Sequence, residues 1–169
     1  MKVTIFMAIS LDGFICDSNG KTPWSDAEWE NYKSYLSRND ALIIGRRTYE
    51  EMSVSDEFTR LGNPKTIVVS SQKFETSSNI TIVETPEDAL KLCESERYSN
   101  VIVGGGQILN SYFIENNMAT DLHLDIEPII FGSGTALFRN SVQLTNLELI
   151  NSETLISGCK SLDYRILEM

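Results

Sequence analysis

Hydrophobic positions along the chain fall into short runs separated by longer amphipathic stretches. Five runs are rich in β-branched and aliphatic residues, which predicts strands buried on both faces of a parallel sheet. They cover residues 3–9, 41–44, 66–69, 80–83 and 101–103. The stretches between them have helical periodicity, and helices are predicted over about 25–38, 46–53, 86–96 and 106–117. This alternation indicates an α/β fold with a mainly parallel sheet and right-handed crossovers.

After residue 120 the pattern changes to a period of two. Residues 122–126, 147–150 and 161–167 alternate between apolar and polar side chains, and Ser157-Gly158 marks a turn. We expect antiparallel strands added to the sheet edge, ending in a hairpin. No linker or low-complexity segment divides the chain, so residues 1–169 are predicted to form a single domain. Its long loops, at 10–24, 54–64 and 71–79, are candidate binding regions.

Composition narrows the functional classes. Apolar residues make up 41% of the 169-residue chain, and 14 Lys and Arg against 24 Asp and Glu give a net charge of −10. This balance argues against nucleic acids and anionic membranes as partners and leaves a small-molecule ligand. The three cysteines are scattered, which favours reduced thiols and no metal site. With neither a signal peptide nor a membrane-spanning segment predicted, a cytoplasmic location is expected.

A glycine-rich turn is the strongest local signal. Val103 ends a predicted strand, and Gly104, Gly105 and Gly106 open a predicted helix that continues through Gln107 and Ile108. Backbone N–H groups at such a helix start suit a pyrophosphate, although a tight turn alone also uses glycine. A Rossmann fingerprint fits less well, because it needs a third glycine where Leu109 stands and an earlier place in the chain.

Arginines follow another predicted strand. Gly45 precedes Arg46, Arg47 and Thr48, and two cations in a first helical turn oppose the helix dipole unless an anion binds there. The alternative is that both arginines reach solvent or pair with nearby glutamates. Ser70 and Ser71 follow a third predicted strand. Because ligands bind at the carboxyl ends of the strands in open α/β sheets, these three segments together predict a phosphate-bearing cofactor.

The first predicted helix offers candidate acids. Asp26 or Glu28 could border a pocket and have its pKa raised by burial, as an acid catalyst requires. Of the two, Asp26 is the preferred candidate. The alternative interpretation is structural, since Ser25 and Glu28 fit a capping box and Asp26 suits the helix dipole. His123 is the only histidine, and its place in an alternating strand favours a packed residue over a catalyst.

Taken in order, these segments resemble the dihydrofolate reductase superfamily. The resemblance rests on residues 7–15, the Pro23-Trp24 pair, and residues 45–50, 69–72 and 103–106. Residues 121–138 are similar to the reductase domain of the bifunctional riboflavin-biosynthesis deaminase-reductase, which acts on 5-amino-6-(5-phosphoribosylamino)uracil. The resemblance implies a three-layer α/β fold with helices on both faces of the sheet, NADPH as hydride donor, and a homodimer.

The resemblance also implies roles for individual residues. Arg46, Arg47, Thr48, Ser70 and Ser71 would surround the adenosine 2′-phosphate, next to Gly45. The pyrophosphate would lie against Gly104, Gly105, Gly106 and Gln107, flanked by Val103 and Ile108. Ala8 and Ile9 would line the nicotinamide site. Asp26 falls where dihydrofolate reductases keep the carboxylate that helps to protonate the pterin.

The sequence departs from both relatives in the substrate region. The first helix is acidic and lacks the basic, histidine-containing stretch with which the riboflavin-pathway reductase grips a phosphoribosyl group. Asp125 stands where dihydrofolate reductases have a threonine beside the acid. The leading hypothesis is an NADPH-dependent reductase of a small heterocycle or ribosylamino-pyrimidine. The alternatives are dihydrofolate reduction, a nucleotide-binding protein with little turnover, and a Rossmann-type NAD protein.

Overall fold

The computed structural model describes residues 1–167 and contains a central eight-stranded sheet. Two further strands, β2 and β8, form a separate sheet. The strands are β1 Lys2–Ser10, β2 Phe14–Asp17, β3 Ala41–Gly45, β4 Thr66–Val69, β5 Ile80–Val83, β6 Asn100–Val103, β7 Asp121–Glu127, β8 Gly134–Ala136, β9 Leu147–Thr154 and β10 Lys160–Ile166. The helices are α1 Asp26–Leu36, α2 Arg46–Val54, α3 Glu57–Arg60, α4 Pro86–Ser95 and α5 Gln107–Glu115. The strand order in the large sheet is β5-β4-β3-β6-β1-β7-β10-β9.

Hydrophobic side chains cover both faces of the sheet and make three layers. On one face Ile5, Ile43 and Val103 pack with Ala89 of α4 and Phe113 of α5. On the other face the buried cluster includes Phe6, Leu42 and Ile44 of the sheet, Leu36 of α1 and Met52 of α2. Because the central strands are buried on both sides, their sequences read as continuous apolar runs. The α/β prediction with helices on both faces is confirmed.

Six strands of the large sheet are parallel, and the remaining two form the edge. β1 pairs in parallel with both β6 and β7. The prediction that residues 122–126 form an added antiparallel strand is therefore wrong. The helix α5 is a crossover connection, so that β7 runs parallel to β6 and β1. β9 and β10 do form the predicted antiparallel hairpin, with β10 antiparallel to β7.

Two short elements lie inside predicted loops. β2 falls within 10–24 and pairs with β8 as a separate antiparallel ribbon, and α3 falls within 54–64. Cys16, Cys93 and Cys159 are free. Within residues 1–167 no helix has the length and apolar character to span a membrane, and no group of three or more His, Cys, Asp and Glu is arranged to hold a metal ion.

Candidate active site

A first cavity, here called the glycine cleft, lies at the carboxyl ends of the parallel strands. It measures about 550 Å³ and is lined by the first turns of α2 and α5 together with part of the β2–β8 ribbon. Of the predicted cofactor residues, it brings together Gly45, Arg46, Arg47, Thr48, Gly106, Gln107 and Ile108. Neither helix has a side chain capping its N-terminus, since Gly45 and Gly106 are the N-cap residues. Free backbone N–H groups of two helices therefore lie beside one cavity.

The glycine turn is built by close packing. The Gly104 N–H donates to the Ile43 carbonyl at 2.9 Å, and the Gly45 N–H donates to the Gly105 carbonyl at 2.9 Å. A Cβ on Gly104 would lie 2.8 Å from Leu42 Cδ1 and 3.1 Å from the Tyr32 hydroxyl. Gly105 has φ of +93°, which favours glycine. Packing therefore requires glycine at 104 and backbone conformation favours it at 105, while Gly106 leaves the α5 N-terminus open.

The arginines are ion-paired at the rim of the glycine cleft. Arg46 Nε lies 2.7 Å from Glu50 Oε1, and its guanidinium also donates to Gln72. Arg47 Nε lies 3.0 Å from Glu51 Oε1, with 82% of the Arg47 side chain exposed. Exposed pairs of this kind contribute little to stability, so both guanidinium groups can exchange partners for a phosphate at small cost.

Other predicted cofactor residues lie outside the glycine cleft. The Ser70 hydroxyl donates to the Gln72 carbonyl at 2.8 Å, and Ser71 is exposed. Neither serine lines the cavity. Ile9 and Val103 are buried within the sheet. Ala8 and Gly104 line a second cavity instead.

This second cavity, here called the aromatic cleft, measures about 470 Å³. Its walls come from β1, α1, the loop before α1 and the α2–α3 region, with Phe6, Trp24, Trp29 and Tyr32 as the aromatic lining. It shares Thr48 and Glu51 with the glycine cleft. The two cavities are therefore neighbours along the ends of the strands, where open α/β sheets bind ligands.

Glu28 is the buried acid of the aromatic cleft. Only 3% of the residue is exposed, and burial, followed by the nearby carboxylates of Asp125 and Glu127, raises its pKa to about 8. Its backbone N–H donates to Ser25 Oγ at 3.2 Å, so the predicted cap exists. The Ser25 N–H, however, bonds Glu127 rather than Glu28, which leaves the Glu28 carboxyl in the cleft.

Asp26 does not occupy this position. It is exposed at the start of α1 and does not line the aromatic cleft. The two residues lie about 200° apart around the helix axis, so only one of them can face the sheet. The structure moves the candidate acid from Asp26 to Glu28.

A buried polar layer lies behind Glu28, between α1 and the sheet. His123, Asp125 and Glu127 alternate along one face of β7 and are each 3% exposed or less. His123 Nδ1 lies 2.6 Å from Asp163 Oδ1, and its Nε2 lies 3.1 Å from Asp125 Oδ1. Burial alone would lower the pKa of His123, but the hydrogen bonds to Asp125 and Asp163 outweigh it and raise that pKa to about 9. His123 is therefore an imidazolium at neutral pH.

Polar groups of α1 complete this layer. Asn31 Nδ2 donates to Asp125 Oδ2 at 2.8 Å, and the Ser25 hydroxyl donates to Glu127 Oε1 at 2.6 Å. Glu127 thus lies at the N-terminus of α1, where the helix dipole favours a negative charge. The interpretation of His123 as a packed residue is confirmed, whereas its carboxylate partners were missed. Their signal is the period-two spacing of polar residues at 123, 125 and 127, which places them on one face of a strand.

Comparison with known proteins supports a reductase of the riboflavin-pathway and dihydrofolate reductase-like type. The family model for the RibD C-terminal domain matches residues 1–161, and the chain belongs to that family. The chain is 30% identical over 130 residues to dihydrofolate reductase type 1 of Escherichia coli, covering 76% of this chain and 78% of that protein. The resemblance to the dihydrofolate reductase superfamily and its riboflavin-pathway branch is confirmed.

Solved structures show the same fold. The bifunctional deaminase and 5-amino-6-(5-phosphoribosylamino)uracil reductase of Thermotoga maritima matches with a TM-score of 0.76 at 17% identity, over 98% of this chain and 56% of that one. Dihydrofolate reductase from Enterococcus faecalis, complexed with NADP(H), matches with a TM-score of 0.70 at 19% identity, over 99% of this chain and 97% of that one.

Proposed function

We propose that the protein is an NADPH-dependent reductase of a small heterocyclic substrate and that Glu28 supplies the proton. The observation that carries the proposal is a buried carboxyl in an aromatic cleft that adjoins a second cleft beside two uncapped helix N-termini. Burial raises the pKa of Glu28 to about 8, so this carboxyl holds its proton at neutral pH and can give it to a basic ring atom.

The residues of the glycine cleft fit NADPH. Uncapped N–H groups at the starts of α2 and α5 suit a pyrophosphate, and the Gly106 position keeps the α5 N-terminus clear of a side chain. Arg46 and Arg47 provide the charge for a 2′-phosphate. When bound, NADPH supplies the hydride. The aromatic lining of the second cleft orients a flat ring and excludes water from it.

Dihydrofolate reduction is the second candidate function. It is supported by the 30% identity to dihydrofolate reductase type 1 and by the place of Glu28 at the start of α1. A nucleotide-binding protein with little turnover would keep the glycine cleft but would not need a protonated Glu28. The homodimer implied by the resemblance stays a prediction.

Thermal unfolding with NADPH and with NADH tests the cofactor assignment. A ligand at 100 times its Kd stabilises a protein by about 2.7 kcal/mol, which raises Tm by roughly 5–10 °C for this chain length. We expect that rise with NADPH and a smaller one with NADH. The double variant Arg46→Ala/Arg47→Ala should lose the preference for NADPH over NADH. The control variant Arg165→Ala removes a comparably exposed, ion-paired arginine of β10 and should keep that preference. No rise with either nucleotide would refute the proposal.

A further inference from the structure

Tyr32 is a second polar side chain of α1 that lines the aromatic cleft, one helical turn after Glu28. Residues four apart lie on the same face of a helix, with their Cβ atoms about 5–6 Å apart. The Tyr32 ring packs against Phe6 and Trp29, with ring centroids 4.8 Å and 6.4 Å away. Because the hydroxyl continues the axis of this packed ring, the same contacts fix its position.

The Tyr32 hydroxyl lies beside the glycine turn. A Cβ on Gly104 would be 3.1 Å from the Tyr32 oxygen. Gly104 lines the aromatic cleft, and Gly106, two residues later, lines the glycine cleft. The hydroxyl is therefore on the side of the aromatic cleft that adjoins the glycine cleft. In the proposed reductase, this is the side on which the substrate ring meets the cofactor.

This hydroxyl has no protein partner. Within residues 1–167 it makes no hydrogen bond to another protein group, whereas the Tyr112 hydroxyl donates to Glu87 Oε1 at 2.6 Å. Tyrosine hydroxyls removed from water usually have a partner. Asn110 Oδ1 is the one fully enclosed side-chain oxygen or nitrogen of the described residues that lacks a partner, so the Tyr32 oxygen still reaches open space. The cavity that Tyr32 lines is the aromatic cleft, where its hydroxyl can bond a ligand.

Tyr32 is a hydrogen-bond donor at neutral pH. Burial raises the pKa of Tyr32 above its ordinary value of 10, so the hydroxyl keeps its proton. The Glu28 carboxyl, with its pKa raised to about 8, is also protonated at neutral pH. One face of α1 therefore presents two uncharged donors to the same cleft.

We propose that the Tyr32 hydroxyl binds the substrate ring by donating a hydrogen bond to a carbonyl oxygen or ring nitrogen on the edge that also meets Glu28. This proposal rests on the reductase function and deepens it, because it names a second acceptor that the substrate carries. Reduction of a ring C=N bond adds the hydride of NADPH to carbon and a proton to nitrogen. That proton comes from Glu28, and Tyr32 keeps its own.

The proposal also defines a substrate class. A ring without the second acceptor leaves the Tyr32 hydroxyl unpaired in the complex, which opposes binding. Oxo-substituted heterocycles such as pterins and uracils carry carbonyl oxygens and ring nitrogens along one edge and meet the requirement.

The variant Tyr32→Phe tests the proposal, because it removes the hydroxyl and keeps the packed ring. The probes are 7,8-dihydrobiopterin and 5,6-diaminouracil, titrated calorimetrically into the NADPH-loaded protein. We expect at least one probe to bind, and Tyr32→Phe to weaken its binding about tenfold, the worth of one hydrogen bond between neutral groups. The control is Tyr35→Phe on the same helix, whose ring contacts His123 and does not line the cleft; it should bind the probes as the unmodified protein does.

Two further readouts separate substrate binding from a structural role. A hydroxyl without a protein partner adds little to folding, so Tyr32→Phe should melt within about 2 °C of the unmodified protein. Its affinity for NADPH should also be unchanged. A clear fall in Tm would assign the hydroxyl to the fold, and a loss of NADPH affinity would assign it to the cofactor; either result would overturn the proposal.

Unchanged probe affinity in Tyr32→Phe, or binding of neither probe by a protein that does bind NADPH, would overturn it as well. Failure of the reductase function appears separately, as absence of NADPH binding. The same titrations on the nucleotide-free protein then decide the role of Tyr32.

Discussion

Replacement of Glu28 by Gln should stabilise the folded protein in a pH-dependent way. The folded state keeps Glu28 protonated until its raised pKa of about 8, whereas in the unfolded chain the carboxyl ionises near the ordinary glutamate pKa of 4.5. Between these values the unfolded state binds fewer protons, so the stability of the unmodified protein falls as pH rises. A glutamine at this position stays neutral and avoids that loss.

The magnitude follows from the two pKa values. A shift from 4.5 to about 8, at 1.36 kcal/mol per pKa unit, corresponds to about 5 kcal/mol. For 150–250 residues, 1 kcal/mol changes Tm by about 2–4 °C. The melting temperatures of the Glu28→Gln variant and the unmodified protein should therefore nearly coincide near pH 4.5 and differ by about 10–20 °C at pH 9.

Thermal melts from pH 5 to pH 9 measure this difference, with Glu30→Gln as the control. Glu30 is exposed on the same helix, so its variant should track the unmodified protein at every pH. The Glu28→Gln variant should also lose turnover, because an amide cannot donate the proton. A Tm difference that does not change between pH 5 and pH 9 would show that Glu28 is not held protonated by the fold.

Two further substitutions test the polar layer and the glycine turn. With the pKa of His123 raised to about 9, its stabilisation is complete below pH 6.5 and disappears as pH rises through 9. His123→Gln should therefore cost about 3–5 kcal/mol in urea unfolding at pH 6 and much less at pH 10; an equal cost at both would contradict this. Gly104→Ala places a methyl 2.8 Å from Leu42 and should cost about 1–3 kcal/mol by the same assay. Gly45→Ala, whose Cβ meets nothing closer than 3.8 Å, should cost less, and a reversed order would refute the packing argument.

The strands of the parallel part of the sheet were predictable because they are short runs made mostly of aliphatic and β-branched residues. The predicted runs at 66–69 and 80–83 coincide with β4 and β5, and the predicted helix ends lie within two residues of the observed ones. The β2–β8 ribbon escaped prediction because β8 is three residues long and its register is irregular. Strands of that length carry too few alternations to show a period.

The candidate acid shows where sequence reasoning stops. Asp26 and Glu28 both fit the start of α1, and their spacing puts them on different sides of the helix. Which side faces the sheet depends on the rotation of the helix, and that is set by contacts from β7, about 100 residues away in the chain. Asn31 bonding to Asp125 and Ser25 bonding to Glu127 fix that rotation.

The polar layer beneath α1 explains why Glu28 is the group that keeps a proton. The imidazolium of His123 is shared by Asp125 and Asp163, and the N-terminus of α1 holds Glu127. Among the described residues of this layer, no further cation is left to pair with Glu28. Burial beside the carboxylates of Asp125 and Glu127 therefore favours the neutral, protonated form of Glu28. An acid held in this way costs stability as the pH rises from 4.5 to about 8, and the same burial keeps its proton available to a ring in the aromatic cleft. Stability and acid catalysis therefore oppose each other at this residue.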